Sequence, residues 1–318
     1  MRFALTDEQA AFAEAVGDLL ASGDSVAAAR AWAAGDTAPG LGLWKRLAEL
    51  GVAGLVVPES EGGVGGSYVD LVVAHEALGR HLAVGPWIES SAYLATALPA
   101  VDRGDDAGRI ADGAIGTVAV PPVPYALDAD VADQVWLRTA DGLSPAAAGE
   151  PLTSVDATRR LFAVSLADEA PADHAFDVAA LACAAQLLGA GERVLADTVA
   201  YVRQRQQFGR PIGSFQAIKH HLADVRIALD FARPLVYGAA LSASTGSTTG
   251  SRDISAAKAA CADAAWLAAR TGLQSHGAVG YTRELDLGLW ILRIRALVPA
   301  WGTPAFHRGR VLDALESR

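Results

Sequence analysis

The sequence contains little cysteine and no block of basic residues. Cys183 and Cys261 are the two cysteines among 318 residues, which excludes a disulfide-stabilised scaffold and a cysteine-rich metal site. So few thiols are typical of a protein from a reducing cytosol. Acidic residues outnumber lysine and arginine by 36 to 26, and this balance argues against nucleic acid as a partner. The hydrophobic content of 52% nevertheless excludes a disordered chain.

Long apolar runs and common catalytic motifs are also missing. The first 20 residues carry acids among their apolar residues, unlike a signal peptide. No run of about 18 apolar residues is free of charge, so we expect no membrane span and a cytoplasmic location. The chain has no GxGxxG motif after a strand, no P-loop and no GxSxG. His220 and His221 are adjacent, so on a helix they point to different faces, and we expect no metal site there.

The hydrophobic patterning predicts helices, then short strands, then helices again. Thr6 and Gln9 form a capping-box pattern that opens an amphipathic helix. Three β-like runs lie at 114–120, 134–140 and 161–166. From about Asp177 apolar residues recur at helical spacing. We therefore predict a mostly α protein with a small β domain.

This pattern divides the chain into three domains. We predict an N-terminal helical domain over 1–109, a truncated β domain over 110–171 and a C-terminal four-helix bundle over 172–318. Within the bundle, the Ser/Thr/Gly-rich stretch 242–253 predicts a flexible connection.

Two segments have features of ligand binding. In 201–233 a helix ends at an Arg-x-x-Phe-Gly turn, where Arg205 and exposed amides suit a phosphate. Arginine at a helix C-terminus is also favoured for its charge alone. In 273–286, Gln274, Gly277 and Gly280 make a small-residue turn that a ligand can approach closely.

Taken together, these segments resemble the acyl-CoA dehydrogenase family, which oxidises acyl-CoA thioesters with FAD. The resemblance covers nearly the whole chain: the opening LTDEQ, the tract 44–80, RQQFGRPIGSFQAIKHHLAD at 205–224, ISAAKAACADAA at 254–265 and QSHGAVGYTRE at 274–284. The segment GRHLAVGPWIES at 79–90 is similar to the branch found in actinobacterial steroid and bile-acid side-chain degradation.

The resemblance implies an FAD that is shared across a subunit interface. Arginine offers a fork of donors for a pyrophosphate, and phenylalanine a flat face for an adenine. Ala278 replaces the second glycine of the family's Gln-x-x-Gly-Gly segment. By this likeness the FAD-binding residues are Arg205, Gln207, Phe208, Gln216, Gln274, Gly277 and Ala278.

The chain departs from the family where the chemistry takes place. Dehydrogenation needs a carboxylate that removes the α-proton of the thioester. Of the two positions that hold this glutamate in the family, one is Trp301 and the other is Ala179 here. Glu192 lies too far along its helix, and Glu284 matches a position outside the chemistry. The family's Thr-Glu-Pro and Gly-Ser-Asp motifs, which line the flavin ring, are missing between Ile110 and Pro171.

These departures predict a subunit without catalytic residues of its own. It resembles the shorter subunit of heteromeric α2β2 enzymes, so we expect a complete acyl-CoA dehydrogenase subunit as its partner. The resemblance further implies an acyl-CoA substrate, with a steroid-type thioester as the candidate, and an electron-transfer flavoprotein as electron acceptor. A flavin-free scaffold and a homomeric enzyme with an unrecognised base are the alternatives.

Overall fold

A computed structural model describes residues 5–165, 172–282 and 285–317. The first helix begins at the capping box that the sequence predicts: the Gln9 amide donates to Thr6 Oγ1 at 3.2 Å, and the Thr6 amide donates to Gln9 Oε1 at 3.1 Å. The N-terminal helices are α1 (Asp7–Ser22), α2 (Ser25–Ala33), α3 (Ala38–Glu49), α4 (Tyr68–Arg80), α5 (Ala95–Ala100) and α6 (Gly104–Ala111).

The helical segment over 88–100 has an unexpected geometry. Its first part, Ile88–Leu94, is a π-helix that continues directly into α5. All seven residues of the π-helix are buried. The wider turn is typical of functional sites, and in this chain it carries Glu89 and Tyr93.

The middle of the chain forms two small sheets. Their orders are β1-β3-β4 and β2-β6-β5, and β1 runs parallel to β3 with Thr117 opposite Val135. The three predicted β-like runs correspond to β1, β3 and β6. The strands are β1 (Gly116–Ala119), β2 (Tyr125–Leu127), β3 (Gln134–Thr139), β4 (Gly142–Pro145), β5 (Pro151–Leu152) and β6 (Leu161–Ala163).

Long helices make up the C-terminal part, as predicted. The predicted connection over 242–253 is wrong in extent, because α8 continues to Ser244 and α9 already begins at Gly250. Hydroxyl groups bond the helix ends here: Thr245 Oγ1 donates to the Leu241 carbonyl at 3.1 Å. The elements are α7 (His174–Gln204), β7 (Gln206–Gln207), β8 (Arg210–Pro211), α8 (Gln216–Ser244), α9 (Gly250–His276), α10 (Leu287–Leu297) and α11 (Pro304–Glu316).

Helix α7 is the centre of the hydrophobic core. Within the described residues it is the helix long and apolar enough to cross a membrane, yet 94% of its most apolar window is buried inside the protein. It packs against α4, α8, α9 and α10. Gly79 of α4 and Gly189 of α7 allow a close crossing, because a Cβ at either would collide with a carbonyl of the facing helix. The apolar pattern of α7 therefore reflects a core helix.

A buried lysine holds the turn between α10 and α11. Lys258 of α9 donates from Nζ to the carbonyls of Leu297, Val298 and Gly302 at 3.3, 3.0 and 3.5 Å. The adjacent Trp301 has a φ of 55°, in the left-handed region that side chains rarely adopt. Lys258 therefore fixes the turn that presents Trp301.

Replacing this lysine tests its structural role. Lys258→Met leaves the turn carbonyls without their charged donor, so we expect the free energy of unfolding to fall by about 2 kcal/mol. Lys45 is exposed, and Lys45→Met should change the stability by less than about 0.5 kcal/mol. Urea unfolding followed by circular dichroism measures both values, and equal stabilities of the two variants would contradict this role.

A buried histidine joins α4 to α7 and makes the stability depend on pH. His75 Nδ1 lies 3.1 Å from Gln186 Nε2, and its Nε2 lies 3.1 Å from Ser91 Oγ. Burial lowers the pKa of His75 from 6.5 to about 3, so the ring is neutral in the folded protein. Below pH 6.5 the unfolded chain binds a proton that the folded chain does not. The free energy of unfolding therefore decreases as the pH is lowered below 6.5.

The variant His75→Gln removes this titration. We expect wild type to lose about 1.4 kcal/mol more stability than the variant between pH 7.5 and pH 5.5. Urea unfolding at the two pH values measures the difference. Parallel losses in both proteins would show that His75 does not titrate in this way.

Candidate functional site

Three helix ends meet at one end of the bundle. Gly191 of α7, Leu229 of α8 and Ala265 of α9 lie at one level, where a Cβ on Gly191 would be 2.9 Å from Leu229 and 3.3 Å from Ala265 Cα. Further along, the ring of Tyr201 in α7 stacks on His276 in α9 with centroids 4.1 Å apart. A Cβ on Gly213, just before α8, would lie 3.0 Å from the Val202 carbonyl oxygen of α7, so the start of α8 joins the ends of α7 and α9.

This surface carries all the residues that the sequence predicts for FAD. We call it the bundle-end surface, and all of its members are exposed. Their side chains make no hydrogen bonds within the part of the chain that the structure describes. The members are Arg205, Gln207, Phe208, Gln216, Gln274, Gly277 and Ala278.

A tight hairpin projects Phe208 into solvent. Gln206–Gln207 pairs with Arg210–Pro211, and the two turn residues Phe208 and Gly209 have φ values of 54° and 77°. Positive φ at both positions is the geometry of a type I′ hairpin turn. The Phe208 side chain is 90% exposed. So exposed an aromatic ring on a rigid turn is typical of a binding surface.

The start of α8 adds a site suited to an anion. Its N-cap residue is Phe215, whose side chain offers no acceptor for the first amides of the helix. A free helix N-terminus attracts negative charge. The guanidinium of Arg210 lies 4.2 Å from the centre of the Phe215 ring, close to the same helix end.

Backbone is accessible at the end of α9. Gly277 ends this helix with φ 62° and ψ −139°, a conformation essentially limited to glycine, and the space where a Cβ would lie is open. Ala278, which replaces a glycine of the family pattern, is exposed, so its methyl group meets no obstacle in this chain. Donors, a flat ring and open backbone thus suit the adenosine and pyrophosphate portion of FAD.

A second site is a half-open pocket between the β strands and the start of α7. Its volume is about 520 Å³. Trp301 forms one wall, with its ring 5.2 Å from Tyr93 and 5.9 Å from Phe176. We call it the inner pocket. It is lined mainly by Glu89, Tyr93, Val118, Val120, Pro121, Pro122, Tyr125, Leu127, Arg159, Phe176, Trp301 and Phe306.

The structure locates the acids that the sequence analysis set aside. Glu192 accepts hydrogen bonds from Arg226 at 2.7 and 2.9 Å and from Arg233 at 3.0 Å. Although burial acts against its charge, these bonds hold the pKa of Glu192 below its ordinary value. It is part of an ion-pair network and does not line the inner pocket. Glu284 lies outside the described residues.

The sequence analysis missed Glu89. This residue is buried and lines the inner pocket together with Trp301. The signal that could have revealed it is a single acid within 87–98, a segment of mostly apolar and small residues. Burying a carboxyl group costs free energy unless it has a charge or hydrogen-bond partner. Within the described residues no group of three or more metal-ligating side chains occurs.

Comparison with known proteins assigns the chain to a family. Residues 6–106 match the acyl-CoA dehydrogenase N-terminal domain, and residues 171–316 match the acyl-CoA dehydrogenase C-terminal domain. The acyl-CoA dehydrogenase IpdE2 of Mycobacterium tuberculosis is 34% identical over 98% of this chain and 97% of its own length. IpdE2 of Mycolicibacterium smegmatis is 33% identical over 94% and 96%, respectively.

Solved structures share the fold. A chain of the ChsE4-ChsE5 complex of Mycobacterium tuberculosis matches with a TM-score of 0.82 and 22% identity, over 100% of this chain and 100% of that chain. The Tcur3481-Tcur3483 steroid ACAD matches with a TM-score of 0.82 and 23% identity over 98% of both. Glutaryl-CoA dehydrogenase of Mycobacterium smegmatis in complex with FADH2 has a TM-score of 0.82 and 17% identity, over 99% of this chain and 96% of that one. The domain matches and the full-length relatives show that this chain belongs to the acyl-CoA dehydrogenase family.

Proposed function

We propose that this chain is one subunit of a heteromeric, FAD-dependent acyl-CoA dehydrogenase. It donates residues to an FAD site shared with a partner subunit, and that partner carries the catalytic glutamate. The observation behind this proposal is the bundle-end surface, whose seven residues are exposed and make no side-chain hydrogen bonds within the described chain. Such groups are suited to a ligand held by a second polypeptide.

Each residue of this surface has a role in the proposed site. Arg205 presents a planar fork of donors for a pyrophosphate. The start of α8 at Gln216 supplies the positive end of a helix dipole. Phe208 offers a flat apolar face on which an adenine can stack. Gly277 leaves room for backbone amides to approach the nucleotide.

The chemistry itself is assigned to the partner. Bound FAD supplies the acceptor for the hydride that leaves the β-carbon of the thioester. In this chain the two family positions for the base are Trp301 and the buried Ala179. An indole and a methyl group cannot accept the α-proton, and so we infer that this protomer has no dehydrogenase site of its own.

The inner pocket is poorly suited to an isoalloxazine ring. Pro121 and Pro122, which line it, have no N–H groups to offer to the ring's carbonyl and nitrogen acceptors. Trp301 occupies another wall and is fixed there by the turn that Lys258 and His307 hold. This agrees with the missing flavin motifs of the middle segment.

The relatives guide the finer proposals. Because two structural neighbours are two-component assemblies and one is a steroid enzyme, we propose an α2β2 complex acting on a bulky, steroid-type acyl-CoA thioester in the cytoplasm. A trans-2-enoyl-CoA would be the product, and an electron-transfer flavoprotein would reoxidise the flavin.

Visible absorbance of the purified protein tests the proposal. The chain produced alone should be colourless, whereas co-production with a complete acyl-CoA dehydrogenase subunit encoded beside it should give a yellow complex with acyl-CoA dehydrogenase activity. A complex that forms but stays colourless would favour the flavin-free scaffold instead. Flavin and turnover from this chain alone would refute the heteromeric enzyme.

A substitution at the bundle-end surface tests the shared site. Arg205→Ala removes a charged donor from the pyrophosphate, so the complex should retain FAD at least tenfold more weakly, a change of about 1.4 kcal/mol. Arg109→Ala is the matched control, because Arg109 is also largely exposed but lies on α6. Flavin content is measured after gel filtration at equal protein concentration. Equal flavin retention in the two variants would contradict the shared site.

A further inference from the structure

A separated ion pair lies in the wall of the inner pocket. Arg159 Nη2 is 3.8 Å from Glu89 Oε1, so the two atoms are too far apart for a direct hydrogen bond. Both residues line the pocket and are buried, at 8% and 5% exposure. The guanidinium of Arg159 forms no hydrogen bond with any residue that the structure describes. Buried donors without an acceptor cost free energy, so the open space within this pair points to a ligand group.

Two further polar atoms of the same pocket have no hydrogen-bond partner. They are Glu89 Oε2 and the hydroxyl of Tyr93, a residue that is 1% exposed. Tyr93 follows Glu89 by four residues on the π-helix Ile88–Leu94, and both line the inner pocket. The pocket therefore offers hydrogen-bond acceptors as well as the donors of Arg159.

The charges of the pocket balance, and this balance favours an uncharged ligand. Among the described residues that line it, Arg138 and Arg159 are matched by Asp173 and Glu89. Arg138 and Asp173 form their own ion pair at 3.0 Å. A charged ligand at the Arg159–Glu89 pair would lie beside a like charge and would also lose its hydration.

The remaining walls suit an apolar body. Val118, Val120 and Trp301 are among the apolar residues of the lining, and the volume is about 520 Å³. Pockets of this size, with mostly apolar walls and a few polar groups, hold small organic molecules. The polar groups then fix the orientation of the ligand.

We propose that the inner pocket binds an uncharged apolar alcohol, whose hydroxyl group lies between Arg159 and Glu89. The hydroxyl oxygen accepts a hydrogen bond from the guanidinium, and the hydroxyl proton is donated to the carboxylate. Two hydrogen bonds of about 2.8 Å can bridge atoms that are 3.8 Å apart. Because a hydroxyl group both donates and accepts, it fits the charged and the protonated form of Glu89 alike. The site goes beyond the proposed function, because it uses none of the bundle-end residues and needs no flavin.

Binding of three matched naphthalene compounds tests the proposal on the full-length chain, produced without partner or flavin. Equilibrium dialysis should show 2-naphthalenemethanol bound at least tenfold more tightly than its methyl ether, because the ether has no proton to donate to Glu89. 2-Naphthoate should also bind at least tenfold more weakly than the alcohol, because its charge would lie beside Glu89.

Substitutions at the ion pair separate the roles of its two members. Arg159→Met removes the donor and should weaken binding of the alcohol at least tenfold. Glu89→Gln leaves Arg159 without its counter-charge, so this variant should bind 2-naphthoate at least tenfold more tightly than wild type does. Arg109→Met, at an exposed site on α6, is the control and should bind all three compounds like wild type.

Several results would overturn the proposal. They are equal affinity of wild type for the alcohol and the ether, binding of 2-naphthoate as tight as that of the alcohol, no binding of the alcohol up to its solubility limit, and unchanged binding by folded Arg159→Met. Should Arg159→Met fail to fold by circular dichroism, the comparison of the three compounds on wild type still decides. The assay contains neither flavin nor partner, so failure here leaves the heteromeric enzyme untouched.

Discussion

The close packing of α7 against its neighbours is the constraint on which both sites depend. Gly79 and Gly189 bring α4 and α7 into backbone contact, and a larger side chain at either would push the helices apart. Alanine-rich surfaces allow most of α7 to be buried. Because this helix packs against α4, α8, α9 and α10, its two ends are held in place relative to each other. The bundle-end surface lies at its C-terminal end, and the inner pocket lies beside its N-terminal end at Phe176.

The two ends have opposite character. At the C-terminal end, Arg205 and Phe208 are exposed, and the Arg205 side chain makes no hydrogen bond within the residues that the structure describes. At the N-terminal end lies the inner pocket, one wall of which is Trp301; by the family resemblance, we assign Trp301 to the position of the catalytic acid. From this contrast we propose a division of labour, in which the C-terminal end serves a nucleotide held by a second polypeptide and the partner subunit supplies the catalytic residues.

Much of the fold could be predicted from the sequence. The capping box at Thr6 and the helical spacing in α7 are local signals, and the structure confirms both of them. The predicted connection over 242–253 was too long, because hydroxyl side chains there bond to helix carbonyls and extend the helices. Strands as short as Pro151–Leu152 form only by pairing with another segment of the chain, so no local sequence pattern predicts them.

The two candidate sites also differ in how far the sequence predicts them. The bundle-end residues lie in two continuous motifs, and resemblance to a family was sufficient to name them. The inner pocket brings together Glu89 from a π-helix, Arg159 from a loop and Trp301 from a turn. Residues that are distant in sequence meet only through tertiary packing, and for this reason the sequence analysis overlooked Glu89.

The central claim is that this chain holds the nucleotide portion of a flavin that reacts in another subunit. A cryo-EM structure of the co-purified complex tests it most directly. The account predicts density for the adenine against Phe208 and for the pyrophosphate beside Arg205, with the flavin ring enclosed by the partner. A flavin ring inside this chain's own inner pocket, facing Glu89, would contradict it.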